Sequence, residues 1–211
     1  MQNPNDGTRQ QGVAGFSPPA PFANRHVQSI IGQAPWRRRR TMAAAADLLA
    51  RADEILLDCG DGIRLQGFLT RPAGADRGTV VLLHGWEGSA ASAYILSAGS
   101  ELLAAGFSVF RLNLRDHGDT KGLNEGLFHS CRIDEVVAAV AGIRALTNPA
   151  RFAIVGQSLG GNFALRVAAR SPAAGIAVDR VIAVCPVLEP ASTMHALDNG
   201  LALYRQYFLK R

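Results

Sequence analysis

Cysteine is scarce, long apolar runs are missing, and aromatic side chains make up only 7% of the 211 residues. Each shortage excludes something. The three cysteines, Cys59, Cys131 and Cys185, are odd in number and widely spaced, which argues against a disulfide framework and for a reducing compartment. They show no metal-ligand spacing, and Cys185, in an apolar strand-like segment, reads as packed core. No apolar stretch approaches the ~20 residues that cross a bilayer, so no integral membrane segment is expected. The amino-terminal region is polar and lacks the apolar centre of a signal peptide, which makes the cytoplasm the expected location.

Charge is also unevenly supplied. The net charge is +5, yet Arg37, Arg38, Arg39 and Arg40 supply four of those charges and the remainder is nearly balanced. A single short cluster lacks the distributed basic face of a nucleic-acid binder, so no nucleic-acid partner is expected. Weak peripheral contact with an anionic membrane surface is the most that the cluster suggests.

What is present is enough apolar residue, 48%, to bury one sizeable core. Residues 1–21, rich in Gln, Asn, Gly and Pro without apolar periodicity, read as disordered, and 22–211 as part of one domain. Segments 52–58 and 63–71, joined by Cys59-Gly60-Asp61-Gly62, read as a β-hairpin with an Asp-Gly turn. The period then changes. Strand 79–83, helix 92–105, strand 107–114, helix 131–146, strand 151–156, helix 158–170 and strand 180–185 alternate, which predicts a doubly wound, mostly parallel α/β sheet with helices on both faces. In such sheets the ligand crevice lies at the carboxyl ends of the strands.

Two loops at those ends carry the chemistry. Gly156-Gln157-Ser158-Leu159-Gly160 places G-x-S-x-G between a strand and a helix, the context of a nucleophile elbow: glycines two residues either side of the serine permit a tight turn that lifts its hydroxyl above the sheet. The apolar run 78–83 ends in His84-Gly85-Trp86-Glu87-Gly88, a loop of the type that supplies half an oxyanion hole. The backbone N–H groups of Trp86 and Leu159 are the candidate oxyanion donors. His84 lies at the wrong strand end for a catalytic base and reads as a residue that orders its loop. In the loop 115–130, Arg115, Asp116, His117, Asp119 and His129 resemble a metal or acid–base set, but the interleaved glycines favour a hydrogen-bonded rim, and no metal or cofactor is expected. The elbow also lacks the Lys-Ser/Thr of a phosphate loop.

Four blocks in order resemble the YheT-like α/β-hydrolases: Phe22-Ala23-Asn24-Arg25-His26-Val27-Gln28-Ser29-Ile30, the His84–Gly88 loop, Asn113-Leu114-Arg115-Asp116-His117-Gly118 followed by Leu123-Asn124, and Gly156-Gln157-Ser158-Leu159-Gly160-Gly161-Asn162. The resemblance implies an α/β-hydrolase fold and a serine hydrolase acting on carboxylic esters. It implies Ser158 as nucleophile, with Trp86 and Leu159 as oxyanion donors. It further implies a triad acid and histidine on late loops, and here the chain departs from the pattern. After Ser158 the only imidazole is His195, which reads as a helix-surface residue, and Asp179 beside Arg180 reads as a solvated pair. An apolar pattern from Thr193 onward runs without a cap to Arg211. The expectation is therefore the amino-terminal portion of a longer hydrolase, short by something like 100 residues including its last strands, and inactive by itself. The expected function is hydrolysis of short- to medium-chain carboxylic esters, including monoacylglycerol-like ones. An alcohol O-acyltransferase on the same core is the alternative, as is a catalytically dead binding protein if the chain is complete.

Overall fold

A computed structural model describes residues 17–32, 34–200 and 206. Two units divide at Arg40/Thr41. In the first, the side chain of Asn24 accepts the N–H groups of His26 (2.9 Å) and Val27 (3.3 Å) and so caps α1 (Arg25–Gly32). Pro35 then opens α2 (Pro35–Ala44), where it forfeits no helical hydrogen bond. Both helices differ from the sequence expectation, which gave no element here because the capping residues are not followed by a sustained apolar period. Residues 1–16 of the expected disordered segment lie outside the described residues, as do Leu201, Leu203, Tyr204, Tyr207 and Phe208 of the expected terminal helix.

The second unit contains the sheet. Its elements run α3 (Ala46–Ala50), β1 (Asp53–Asp58), β2 (Arg64–Thr70), β3 (Thr79–Leu83), α4 (Ala93–Ala104), β4 (Ser108–Leu112), α5 (Ile133–Thr147), β5 (Phe152–Gln157), α6 (Leu159–Arg170), β6 (Arg180–Val184) and α7 (Pro190–Asp198). Strand order is β1-β2-β4-β3-β5-β6. The pairs β1/β2 and β2/β4 are antiparallel, and the other three are parallel. This is the α/β-hydrolase arrangement, and every expected strand and helix from 52 to 185 lies within two residues of its observed bounds. The hairpin turn takes positive φ at Gly60, Asp61 and Gly62, as its Asp-Gly chemistry requires.

Strand periodicity sorts the core into two layers. Val81 and Leu83 face one side with Phe110, Ile154, Val140, Ile143, Phe163 and Val167, whereas Val80 and Leu82 face the other with Val109, Leu48, Leu96 and Leu103. The central strands β3 and β4 are therefore buried throughout, which is why β3 reads as a continuous apolar run, whereas β4 also buries Ser108 and Arg111.

β6 differs. Among the described residues it pairs only with β5, and Ile182 (52% exposed) and Val184 (43%) stand open to solvent. Two expectations are corrected at this edge. Cys185 is exposed rather than packed, because it follows the last paired residue and turns with φ 46°. Asp179 is not a mere solvated pair with Arg180: its carboxylate accepts the Phe152 N–H at 2.6 Å and its own N–H donates to Phe152 O, securing the start of β5.

Candidate active site

The elbow forms because three backbones meet where no side chain fits. A Cβ on Gly156 would run into Gly160 O, and one on Gly160 into the carbonyl oxygens of Leu83 and His84. Glycine at both positions lets α6 begin against the carboxyl end of β3. Between them Ser158 adopts φ 53°, ψ −118°, a region that costs a non-glycine residue roughly 1–3 kcal/mol. Neighbouring bonds hold it there. Its N–H donates to Val184 O at 2.9 Å, and its carbonyl accepts from Asn162 N (3.1 Å) and Val187 N (3.3 Å). Asn162 Nδ2 also donates to Val187 O at 2.8 Å, binding the segment after β6 to the first turn of α6. Ser158 is exposed, and no described residue hydrogen-bonds its hydroxyl.

The β3–α4 loop is brought directly against this serine. A Cβ on Gly85 would stand 3.2 Å from Ser158 Cβ and 3.3 Å from Gln157 O. Trp86 follows Gly85 and is exposed, and Leu159 is the first residue of α6. The three candidate residues therefore share one end of the sheet.

His84 is buried between strand ends. The Leu114 N–H points at its Nε2 (3.1 Å), so Nε2 accepts and Nδ1 carries the proton, which it donates to Gly85 O at 2.7 Å. Burial lowers its pKa from 6.5 to about 3, an effect that the Gly85 hydrogen bond opposes and the neighbouring His117 reinforces. A neutral imidazole with both nitrogens engaged orders the loop and does not act as a base. His195 does not meet the serine through any hydrogen bond: it lies exposed on α7 with its ring nitrogens beside Asn199 Nδ2.

The loop after β4 is a hydrogen-bonded rim. Asp116 accepts the Phe128 N–H at 2.7 Å, His117 Nδ1 donates to Arg115 O at 2.7 Å, and Arg115 pairs with Glu135. Among the described residues, no three His, Cys, Asp or Glu side chains converge as a metal set, and no helix is long and apolar enough to cross a membrane.

Several supporting residues escaped sequence reasoning. Asn113 Oδ1 accepts the Ala90 N–H at 2.7 Å while its Nδ2 donates to Gln66, and buried Arg111 donates to Ala90 O at 2.9 Å. Burial lowers the Arg111 pKa to about 10. The available signal was a charged residue inside an otherwise largely apolar strand for Arg111, and a polar residue directly after that strand for Asn113. A cavity of about 430 Å³ lined by Leu48, Arg51, Pro72, Ser100 and Gly106 lies at the opposite, amino end of the parallel strands and takes no part in this site.

A family model described as the alpha/beta hydrolase fold matches residues 78–210. Among solved structures, the chain is similar to an α/β serine hydrolase without a lid from Xanthomonas campestris, with 22% identity, TM-score 0.54, and 64% of this chain and 62% of that one covered. It is also similar to the esterase Pf2001 of Pyrococcus furiosus, with 20% identity, TM-score 0.60, and 75% and 62% covered. A dienelactone hydrolase from Anabaena variabilis shows 23% identity, TM-score 0.54, and 70% and 68% covered. The chain thus spans about 62% of the length of the first two. No curated protein sequence matches it.

Proposed function

From a chain that belongs to the α/β-hydrolase family, we propose a serine hydrolase of short- to medium-chain carboxylic esters, with Ser158 as nucleophile and the Trp86 and Leu159 N–H groups as oxyanion donors. The observation that carries this reading is the exposed Ser158 in its strained strand-to-helix turn, with the Gly85 backbone pressed against it. In the proposed reaction Ser158 Oγ bonds to the ester carbonyl carbon as its proton passes to a histidine, and the tetrahedral oxyanion forms where the two N–H groups converge. The C–O bond to the alcohol then breaks, the alcohol takes that proton, and water releases the acid by the same steps. The histidine and its acid partner are proposed to come from sequence beyond Arg211. Uncharged esters suit this site better than phosphoesters, whose chemistry calls for metal ions or cationic clamps.

The test is a panel of p-nitrophenyl esters, monoacylglycerols, anilides and phosphodiesters, run with the complete protein and with Ser158→Ala. Fluorophosphonate labelling and ester turnover should both vanish in the variant. Ser158-dependent turnover of an anilide or phosphodiester faster than of every ester would overturn the substrate assignment, and labelling retained in Ser158→Ala would move the nucleophile elsewhere.

A further inference from the structure

Tyr94 occupies the second position of α4, a helix seated on the sheet through Ile95, Leu96, Gly99 and Leu103. Its phenol oxygen accepts the Gly85 N–H at 2.9 Å and packs against Gly88, where an added Cβ would lie 2.5 Å from it. The Gly85 carbonyl is held separately, by His84 Nδ1–H at 2.7 Å and by the Gly88 N–H at 3.0 Å. Both polar groups of Gly85, whose backbone lies against Ser158, are therefore engaged.

That engagement is transmitted onward. The Gly85–Trp86 peptide is trans and planar, so the direction of Gly85 C=O sets the direction of Trp86 N–H, which points the opposite way. Glycine itself offers no such restraint, since Gly85 and Gly88 bring the widest backbone freedom to the loop. An oxyanion donor is useful only if its orientation is fixed before charge develops. The hold must come from partners around the loop: His84 and Gly88 fix the Gly85 carbonyl, and Tyr94 anchors the N–H side of the same residue to a rigid helix, so that Gly85 cannot rotate as a unit.

We propose that Tyr94 is a positioning residue, whose phenol oxygen fastens Gly85 to α4 and thereby keeps the Trp86 N–H aimed at the cleft over Ser158. The proposal rests on the oxyanion reading of Trp86. It assigns the phenol no contact with substrate and makes α4, through one hydrogen bond, part of the catalytic frame.

Tyr94→Phe keeps the ring and deletes the oxygen. Amide hydrogen exchange read by NMR should show the Gly85 N–H exchanging at least about tenfold faster in the variant, with amides of β5 and α6 at their wild-type rates. In ester turnover by the complete protein, kcat should fall roughly 10- to 100-fold with KM little changed, the pattern of a misaligned transition-state donor. Unchanged Gly85 exchange overturns the clamp whatever the activity. Faster exchange with unaltered kcat overturns its connection to the chemistry. Turnover that survives Ser158→Ala indicts the esterase reading instead, and the exchange result still decides the clamp. Should Tyr94→Phe fail to fold, the wild type decides: Gly85 should be protected well beyond the neighbouring Glu87 amide, and equal rates overturn the proposal.

Discussion

Arg115 and Glu135 form an ion pair with Nη2 to Oε2 at 2.6 Å, their side chains only 1% and 3% exposed. Arg115 Nε adds a second bond to the same carboxylate, and Nη1 donates to Glu125 O at 2.6 Å, so the pair ties the loop after β4 to the first turn of α5. The carboxylate raises the arginine pKa further, which keeps the cation at every accessible pH. Removing one partner strands a buried charge. Glu135→Ala should cost about 3–5 kcal/mol in urea unfolding, whereas an apolar replacement of both residues should cost far less. A single variant within about 1 kcal/mol of wild type would mean that the loop relaxes enough to hydrate the guanidinium.

The backbone at Ser158 separates stability from chemistry. Ser158→Ala deletes the hydroxyl but retains the Cβ that makes φ 53°, ψ −118° unfavourable, whereas Ser158→Gly deletes both. The glycine variant should be the more stable of the two by about 1 kcal/mol, the relieved strain exceeding the added chain entropy. Both should lack fluorophosphonate labelling. Equal unfolding midpoints for the two variants would show that the turn stores no appreciable strain.

The parts of the fold that were legible are those whose pattern is set by burial on both faces. β3 and β5 are continuous apolar runs because helices cover each side of them, and the glycines flanking Ser158 betray an elbow because the required backbone approach excludes a side chain. Trp86 and Leu159 are proposed as donors by position alone, since a main-chain donor needs no particular side chain. The supports were hidden. Tyr94 looks in sequence like one more large residue at the start of an apolar helix, and only the tertiary approach of α4 to Gly85 gives its oxygen a partner. Cys185 was misplaced for a related reason: an apolar strand pattern does not reveal whether the strand has one neighbour or two.

Thiol reactivity should follow the same distinction between edge and interior. Cys131 and Cys185 are exposed, whereas Cys59 is half-buried with its pKa pushed up from 9.0 to about 11, mainly by burial. The thiolate is the reactive form. A disulfide reagent at pH 8 should therefore titrate two thiols rapidly and the third only on unfolding. Three equally fast thiols would place Cys59 in contact with solvent.

His84 should leave its mark on the pH dependence of stability. Its folded pKa of about 3 lies below the ordinary value of 6.5, so between those limits the unfolded chain binds a proton that the folded chain refuses. Stability is then fully present above pH 6.5 and is lost as pH falls, by about 1.4 kcal/mol per pH unit for this one group, until the folded state also protonates. His84→Asn lacks the titration but also the bonds to Gly85 O and Leu114 N–H, so it should be less stable than wild type at pH 7. Its deficit should shrink steadily toward pH 4, because wild type alone carries the extra slope. Titrating groups that do not interact with His84 are common to both proteins and cancel in the difference. Urea unfolding at half-unit steps from pH 7 to pH 4 measures it directly, and two parallel stability curves would mean that the folded imidazole accepts a proton as readily as the unfolded one.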